Sequence, residues 1–163
     1  MCIRDRGSVA RLVLRLKGIS GRASIHVAAA PEAVFEYLVD AEKQQAWMGD
    51  TVEWLPPDRS QLRAGYKGTE IMKTPEKATE SQVEVLEYDP PWKLRTSHGH
   101  ELFTATAGYG LEAAGAGTRF STNVRIRYRS WETWAKVMIV GPMYSRLMRQ
   151  GLVTLRELVL RSP

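Results

Sequence analysis

Thr118-Arg119-Phe120-Ser121-Thr122-Asn123-Val124-Arg125-Ile126-Arg127-Tyr128 decides the fold class. Phe120, Val124, Ile126 and Tyr128 fall on one side of a period of two, and Arg119, Asn123, Arg125 and Arg127 fall on the other. A period of two is the repeat of an extended strand, and one apolar side against one cationic side is the pattern of an antiparallel sheet with one face packed and one face wet. The three arginines at 119, 125 and 127 are therefore expected in solvent.

Working outward, Ala113 to Gly117 is a short glycine-rich link. Before it, Glu101–Glu112 repeats the alternation, with Phe103, Ala105, Ala107, Tyr109 and Leu111 on the packed side. Trp92–His98 places Leu94, Thr96 and His98 together, and Asp89-Pro90-Pro91 is the turn that precedes it. Thr79–Tyr88 sets Ser81, Val83 and Val85 against Glu80, Gln82 and Glu84. Tyr66–Lys73, Thr51–Leu55 and Ala23–Ala28 complete the strand candidates. Consecutive strands joined by short turns make an antiparallel meander rather than βαβ units.

Two kinds of helix flank the meander. Ala30-Pro31-Glu32 opens a short one, with proline at the first helical position and an acid at the positive end of the dipole. Val34, Phe35 and Leu38 are its apolar stripe, and a second short helix runs from Ala41 to Met48, ended by Gly49. Ser130 caps the last helix, which extends to about Leu160. Trp134, Met138, Gly141, Ser145, Met148, Leu152, Leu155 and Val159 recur at steps of three and four. Gly141-Pro142 interrupts it, and an internal proline is expected to kink or split the helix. The predicted architecture is α+β: a curved antiparallel sheet of six or seven strands wrapped around a long C-terminal helix, with two short helices after the first strand.

Composition sets the outer bounds. A chain of 163 residues suits one domain and needs no disulfide or metal staple to fold. Apolar content of 44% and charged content of 25% exclude a disordered chain. Cys2 stands alone and the histidines are His26, His98 and His100, so no spacing points to a zinc site, and no cofactor or metal is expected. The net charge of +5 comes largely from Arg4, Arg6, Arg11, Arg15, Lys17 and Arg22, without the basic-aromatic interleaving of a nucleic-acid surface, so no nucleic-acid partner is expected. No stretch has the ~20 apolar residues of a membrane span, and the cytoplasm is the expected location. Transient contact with a membrane surface is compatible with the basic N-terminus. Residues 1–20 are read as an N-terminal extension, whose opening Met1–Arg6 resembles translated adapter sequence, and residues 21–163 as one domain.

The order of elements resembles the START-like helix-grip superfamily, also called SRPBCC. Ser24–Asp40 followed by Trp47 is similar to its opening strand and helix, Val85–Leu94 to its mid-chain turn, and Gly115–Arg119 to its last hairpin. The polyketide cyclase/dehydrase and lipid-transport type is the branch it resembles. That resemblance implies an elongated apolar cavity between sheet and helix, used by different members to bind, carry or transform different ligands. It implies binding or transport of an apolar small molecule (a lipid, polyketide or aromatic compound). The alternative is a cyclase/dehydratase-type enzyme acting on a polyketide-like or aromatic substrate in the same cavity.

The expected lining is His98, Phe103, Tyr109, Phe120 and Val124 from the sheet, with Trp134 and Met138 from the helix. His98, Glu70, Tyr66 and Tyr109 could supply a general acid or base, and His98 is the candidate because it shares a face with Leu94 and Thr96. The simpler expectation for His98 and His100 is solvation at a strand end. For Glu70 it is a surface position. One isolated polar group in the cavity would favour binding; two titratable groups meeting at one point would favour catalysis. No nucleophile-elbow or metalloprotease motif is present, and Gly108, Gly110, Gly115 and Gly117 precede a strand, so they do not form a phosphate loop.

Overall fold

The computed structural model describes residues 18–48, 55–56, 58–73 and 78–161, with the side chains at 72–73, 78–79, 136–145 and 147–148 outside the description. The candidate strand at Thr51–Leu55 falls almost wholly outside it. Six strands are present among the described residues: β1 (Gly18–Val27), β2 (Lys67–Lys73), β3 (Ala78–Asp89), β4 (Lys93–Gly99), β5 (Phe103–Ala114) and β6 (Gly117–Tyr128). They form one antiparallel sheet in the order β1-β6-β5-β4-β3-β2. Helices α1 (Pro31–Val39) and α2 (Ala41–Met48) follow β1, and α3 (Trp131–Arg161) follows β6.

The alternation is realised as read. Arg119, Arg125 and Arg127 are exposed, while Phe120, Thr122 and Tyr128 are buried. The β5–β6 hairpin turns on Gly115 at φ 59°, the left-handed region that a mirror-image two-residue turn requires. Gly117 is forced by proximity: a Cβ there would lie 2.3 Å from the Val27 carbonyl oxygen. Between Val85 and Glu87 a bulge shifts the β3–β4 register, which leaves Leu86 exposed and brings Tyr88 opposite Leu94.

Two expectations need correction. The first strand begins at Gly18, so Gly18, Ile19 and Ser20, assigned above to the extension, belong to the sheet; Ile19 pairs with Ile126 and Gly18 with Arg127. Glycine and serine there weaken the alternation, and it is the length of the partner strand β6 that recruits them. The last helix is one element of 31 residues through Gly141-Pro142, so the proline does not split it. Proline removes one amide donor, and a long helix held by packing along its flanks tolerates that loss.

Ser130 caps α3 as read, its Oγ accepting from the Thr133 amide at 3.2 Å. Asp40 links the two short helices, accepting from the Lys43 amide at 2.9 Å. The packed core lies at one end of the sheet's inner face. Val27, Leu111 and Phe120 meet Val34, Phe35 and Leu38 of α1 and Leu152, Leu155 and Val159 of α3. Phe120 stacks on Tyr109 (centroids 6.2 Å, 5° between planes) and takes the edge of Trp47. Each such side chain contributes about 1.5–3 kcal/mol on full burial.

Candidate functional site

The opposite end of the inner face is different. Row by row, Val83, His98, Ala105, Ile126 and Ile19 are paired neighbours across β3, β4, β5, β6 and β1. His98, Ala105, Ile126 and Ile19 are half-buried, as is Val124 one row further in. Ala105, Val124 and Ile126 stand apart from the packed core among the described residues.

A polar network is set into this apolar surface. The His98 ring, 16% exposed, places Nδ1 2.9 Å from Glu70 Oε2 and Nε2 2.9 Å from Thr96 Oγ1. Glu70 comes from β2 and His98 from β4, with β3 between them. Their strands lie two spacings apart, about 9.6 Å, and Glu70 sits opposite Ser81 while His98 sits opposite Val83, so both side chains lean diagonally over β3 to meet. Ser81 sits beside Glu70 in that register, and its small side chain leaves the passage open. Glu70 and Thr96 are buried. An ionised carboxylate only accepts, so Nδ1–H donates to Glu70; in the neutral ring Nε2 is then the acceptor of the Thr96 hydroxyl. The order is hydroxyl, imidazole, carboxylate, with the base oriented by the acid.

Three buried side-chain atoms have no partner among the described residues: Ser81 Oγ, Trp134 Nε1 in the first turn of α3, and Gln44 Oε1 of α2, whose Nε2 donates to the Leu38 carbonyl. A buried donor or acceptor left unpaired costs about 1–3 kcal/mol, so each is a place where a bound polar group gains.

The structure overturns the simpler expectation for three residues. Glu70 is buried rather than on the surface, and neither His98 nor His100 is a solvated strand-end residue. His100 stacks on Phe103 (centroids 4.8 Å) and its Nδ1 accepts the Leu102 amide at 3.1 Å, which fastens the β4–β5 turn. The strand-end position exposes these rings in isolation; the neighbouring strand β2 and the turn cover them.

The other expected residues are dispersed. His98, Val124 and Phe103 lie at the half-open end; Phe103 also meets Tyr128 edge-on. Phe120 is fully buried in the packed end, and Tyr109 stacks against it, so this pair forms the floor of the core. Tyr66 packs against the core, away from the network. Trp134 is half-buried at the start of α3, and the side chain of Met138 lies outside the described residues. Sequence reading missed Thr96 and Ser81 as members of the site. The spacing of Thr96 and His98, two apart on one strand, was the available signal.

A curved antiparallel sheet followed by a long C-terminal helix, with two short helices after the first strand, defines the α+β helix-grip fold. Solved structures of that fold agree. TTHA0849 from Thermus thermophilus has a TM-score of 0.68 at 17% identity, over 87% of this chain and 97% of that one. CV1439 from Chromobacterium violaceum gives 0.66 at 18%, over 88% and 98%. Ara h 8.0201 gives 0.63 at 11%, over 89% and 99%. A search of curated proteins finds no match. The family model for polyketide cyclase / dehydrase and lipid transport matches residues 19–159, and the chain belongs to that family. Among the described residues no helix is long and apolar enough to cross a membrane.

Proposed function

We propose that this protein binds a largely apolar small molecule bearing a carbonyl or hydroxyl group, held between the sheet and the first half of α3. The observation that carries this reading is the Glu70–His98–Thr96 network set into an apolar inner face, with the unpartnered Ser81 Oγ beside Glu70 in the β2–β3 register. Val124, Ile126 and Ala105 take the apolar body, and His98, Ser81 and Trp134 offer its polar group a site. The family's description, which joins cyclase, dehydrase and lipid transport, supports a ligand of this kind. Apolar burial supplies the affinity, at about 25 cal/mol per Å2 before the entropic costs of association.

A second reading is favoured by one observation: two titratable side chains, Glu70 and His98, converge at 2.9 Å. A histidine held by a carboxylate is the arrangement of a general base or acid. In a cyclase/dehydratase-type reaction His98 Nε2 would release Thr96, take a proton from a carbon next to a carbonyl of the ligand, and return it to a departing hydroxyl.

Titration with a fluorescent apolar probe tests the site. Saturable binding is expected, with quenching of tryptophan emission through Trp134. Ala105→Trp, opposite His98 and outside the packed core, should weaken it at least tenfold with the fold retained. Equal binding by the folded variant refutes the placement. Native mass spectrometry of purified protein then looks for a carried ligand.

A further inference from the structure

The outer face of the sheet carries a second feature, unrelated to the inner site. A trough of about 360 Å3 runs across β4, β5, β6 and β1. Its floor is glycine and small hydroxyl residues: Gly108 and Gly110 of β5, with Ser121 of β6 donating to the Gly110 carbonyl at 3.2 Å. Gly108 keeps the floor low. A Cβ at that position would lie 2.8 Å from Nδ2 of Asn123, whose carboxamide rests across the glycine.

The trough is cationic. Arg95, Gly108, Asn123 and Arg22 pair in one row across the four strands, and Arg125 stands one row along, beside Ser20 and Thr106. The three arginines are exposed and make no ion pair among the described residues. Glu87, the carboxylate that also lines the trough, is taken by Lys93 at 2.8 Å. Three guanidinium groups and Lys93 therefore face a polar hollow whose one lining carboxylate, Glu87, pairs with Arg95 in the register and is bonded to Lys93, with the Asn123 amide and the Ser20 and Thr106 hydroxyls as neutral donors.

We propose that this trough is a binding site for a phosphate-bearing molecule that presents two phosphate charges to Arg22, Arg95 and Arg125. Guanidinium forks match phosphate oxygens two at a time, and planar bidentate recognition is what distinguishes arginine from lysine here. The span argues for two phosphates rather than one. Arg22 and Arg95 stand three strand spacings apart, about 14 Å at the backbone, so a single phosphate cannot engage both flanks equally. The ligand can come from solution or from a lipid headgroup, which share this chemistry.

The test uses inorganic pyrophosphate, titrated calorimetrically into the full chain at low and moderate salt. Saturable one-to-one binding is expected, stronger than that of orthophosphate. Arg22→Ala, Arg95→Ala and Arg125→Ala should each weaken it about tenfold, the loss expected for one charge-assisted bidentate contact. Arg127→Ala is the control: Arg127 is exposed on the same face of β6 but outside the trough. A loss as large for Arg127→Ala would show diffuse charge attraction and overturn the site, as would no binding by the wild-type protein. A second arm measures flotation with phosphatidylcholine vesicles, with and without a bisphosphorylated inositol lipid. Binding to the phosphorylated vesicles that pyrophosphate displaces assigns a headgroup source; pyrophosphate binding without flotation assigns a soluble one. Unchanged thermal unfolding of all four variants separates loss of the site from loss of the fold.

Discussion

Removing the imidazole from His98 isolates what its network contributes. In His98→Ala, Glu70 keeps its buried position, with its side chain 8% exposed, but loses its Nδ1–H donor, and Thr96 loses the acceptor of its hydroxyl. Leaving a buried carboxylate without its hydrogen-bond donor costs about 1–3 kcal/mol, and more when the group is charged. Some of that cost is relieved because the ring, at 16% exposure, lies at the half-open end where water can reach the carboxylate. We expect about 3 kcal/mol, which for a chain of this size lowers Tm by roughly 6–12 °C. Glu70→Gln keeps shape and hydrogen-bonding capacity and should cost only about 1 kcal/mol. Replacing both groups by leucine removes the charge and its partner together, and should recover much of the loss, since apolar replacement of a buried pair is often neutral. Chemical denaturation followed by circular dichroism gives all three values, and adding the His98→Ala/Glu70→Gln double variant closes a double-mutant cycle that gives the coupling. The reasoning fails if His98→Ala costs less than about 1 kcal/mol, the value of an exposed pair. It fails equally if the two single losses simply add in the double variant. Ligand binding supplies a separate readout: the leucine pair should fold well and lose selectivity for ligands that carry a carbonyl or hydroxyl.

Further outcomes follow from other parts of the structure. Phe120→Ala removes a fully buried ring from the packed end and should cost about 3–5 kcal/mol in denaturant unfolding. Gly115→Ala places a Cβ at φ 59° and should lose about 1–2 kcal/mol by the same measurement, with the hairpin intact by NMR. The Glu36 carboxyl is held below its usual range, first by the hydrogen bonds from Arg59. A lowered folded-state pKa stabilises above the ordinary carboxylate range, and that stability is lost as pH falls through the lowered value. Arg59→Gln should therefore destabilise at neutral pH and not in strong acid. The effect should stay below about 1 kcal/mol, because both side chains are more than a third exposed. Equal losses at pH 7 and pH 2 would sink the assignment.

What the sequence determined by itself was periodic. Phe120, Val124, Ile126 and Tyr128 against Arg119, Arg125 and Arg127 define a strand, its packed face and its wet face, because side chains on a strand alternate regardless of what lies beyond it. Leu152, Leu155 and Val159 likewise place the inner stripe of α3, Ser130 its cap, and Asp89-Pro90-Pro91 and Gly115 the turns. With the order of these elements, that was enough for the helix-grip fold. The site was legible only in part. His98 could be put on the inner face from its parity with Leu94 and Thr96, but no local rule reports that Glu70, 28 residues earlier, meets it. That contact depends on β2 and β4 flanking β3, on the β2–β3 register that sets Glu70 against Ser81, and on Ser81 being small. Burial of Glu70 follows from the same geometry, since a carboxylate in isolation belongs in water and only a partner across the sheet makes the interior tolerable. The outer trough has the same origin. Arg22, Arg95 and Arg125 are scattered along the chain and become neighbours only because β1 closes on β6 and β5 lies between β6 and β4. Alternation is local physics and can be read along the chain; which strand lies beside which is settled by tertiary pairing, and both proposed sites live in that second kind of information.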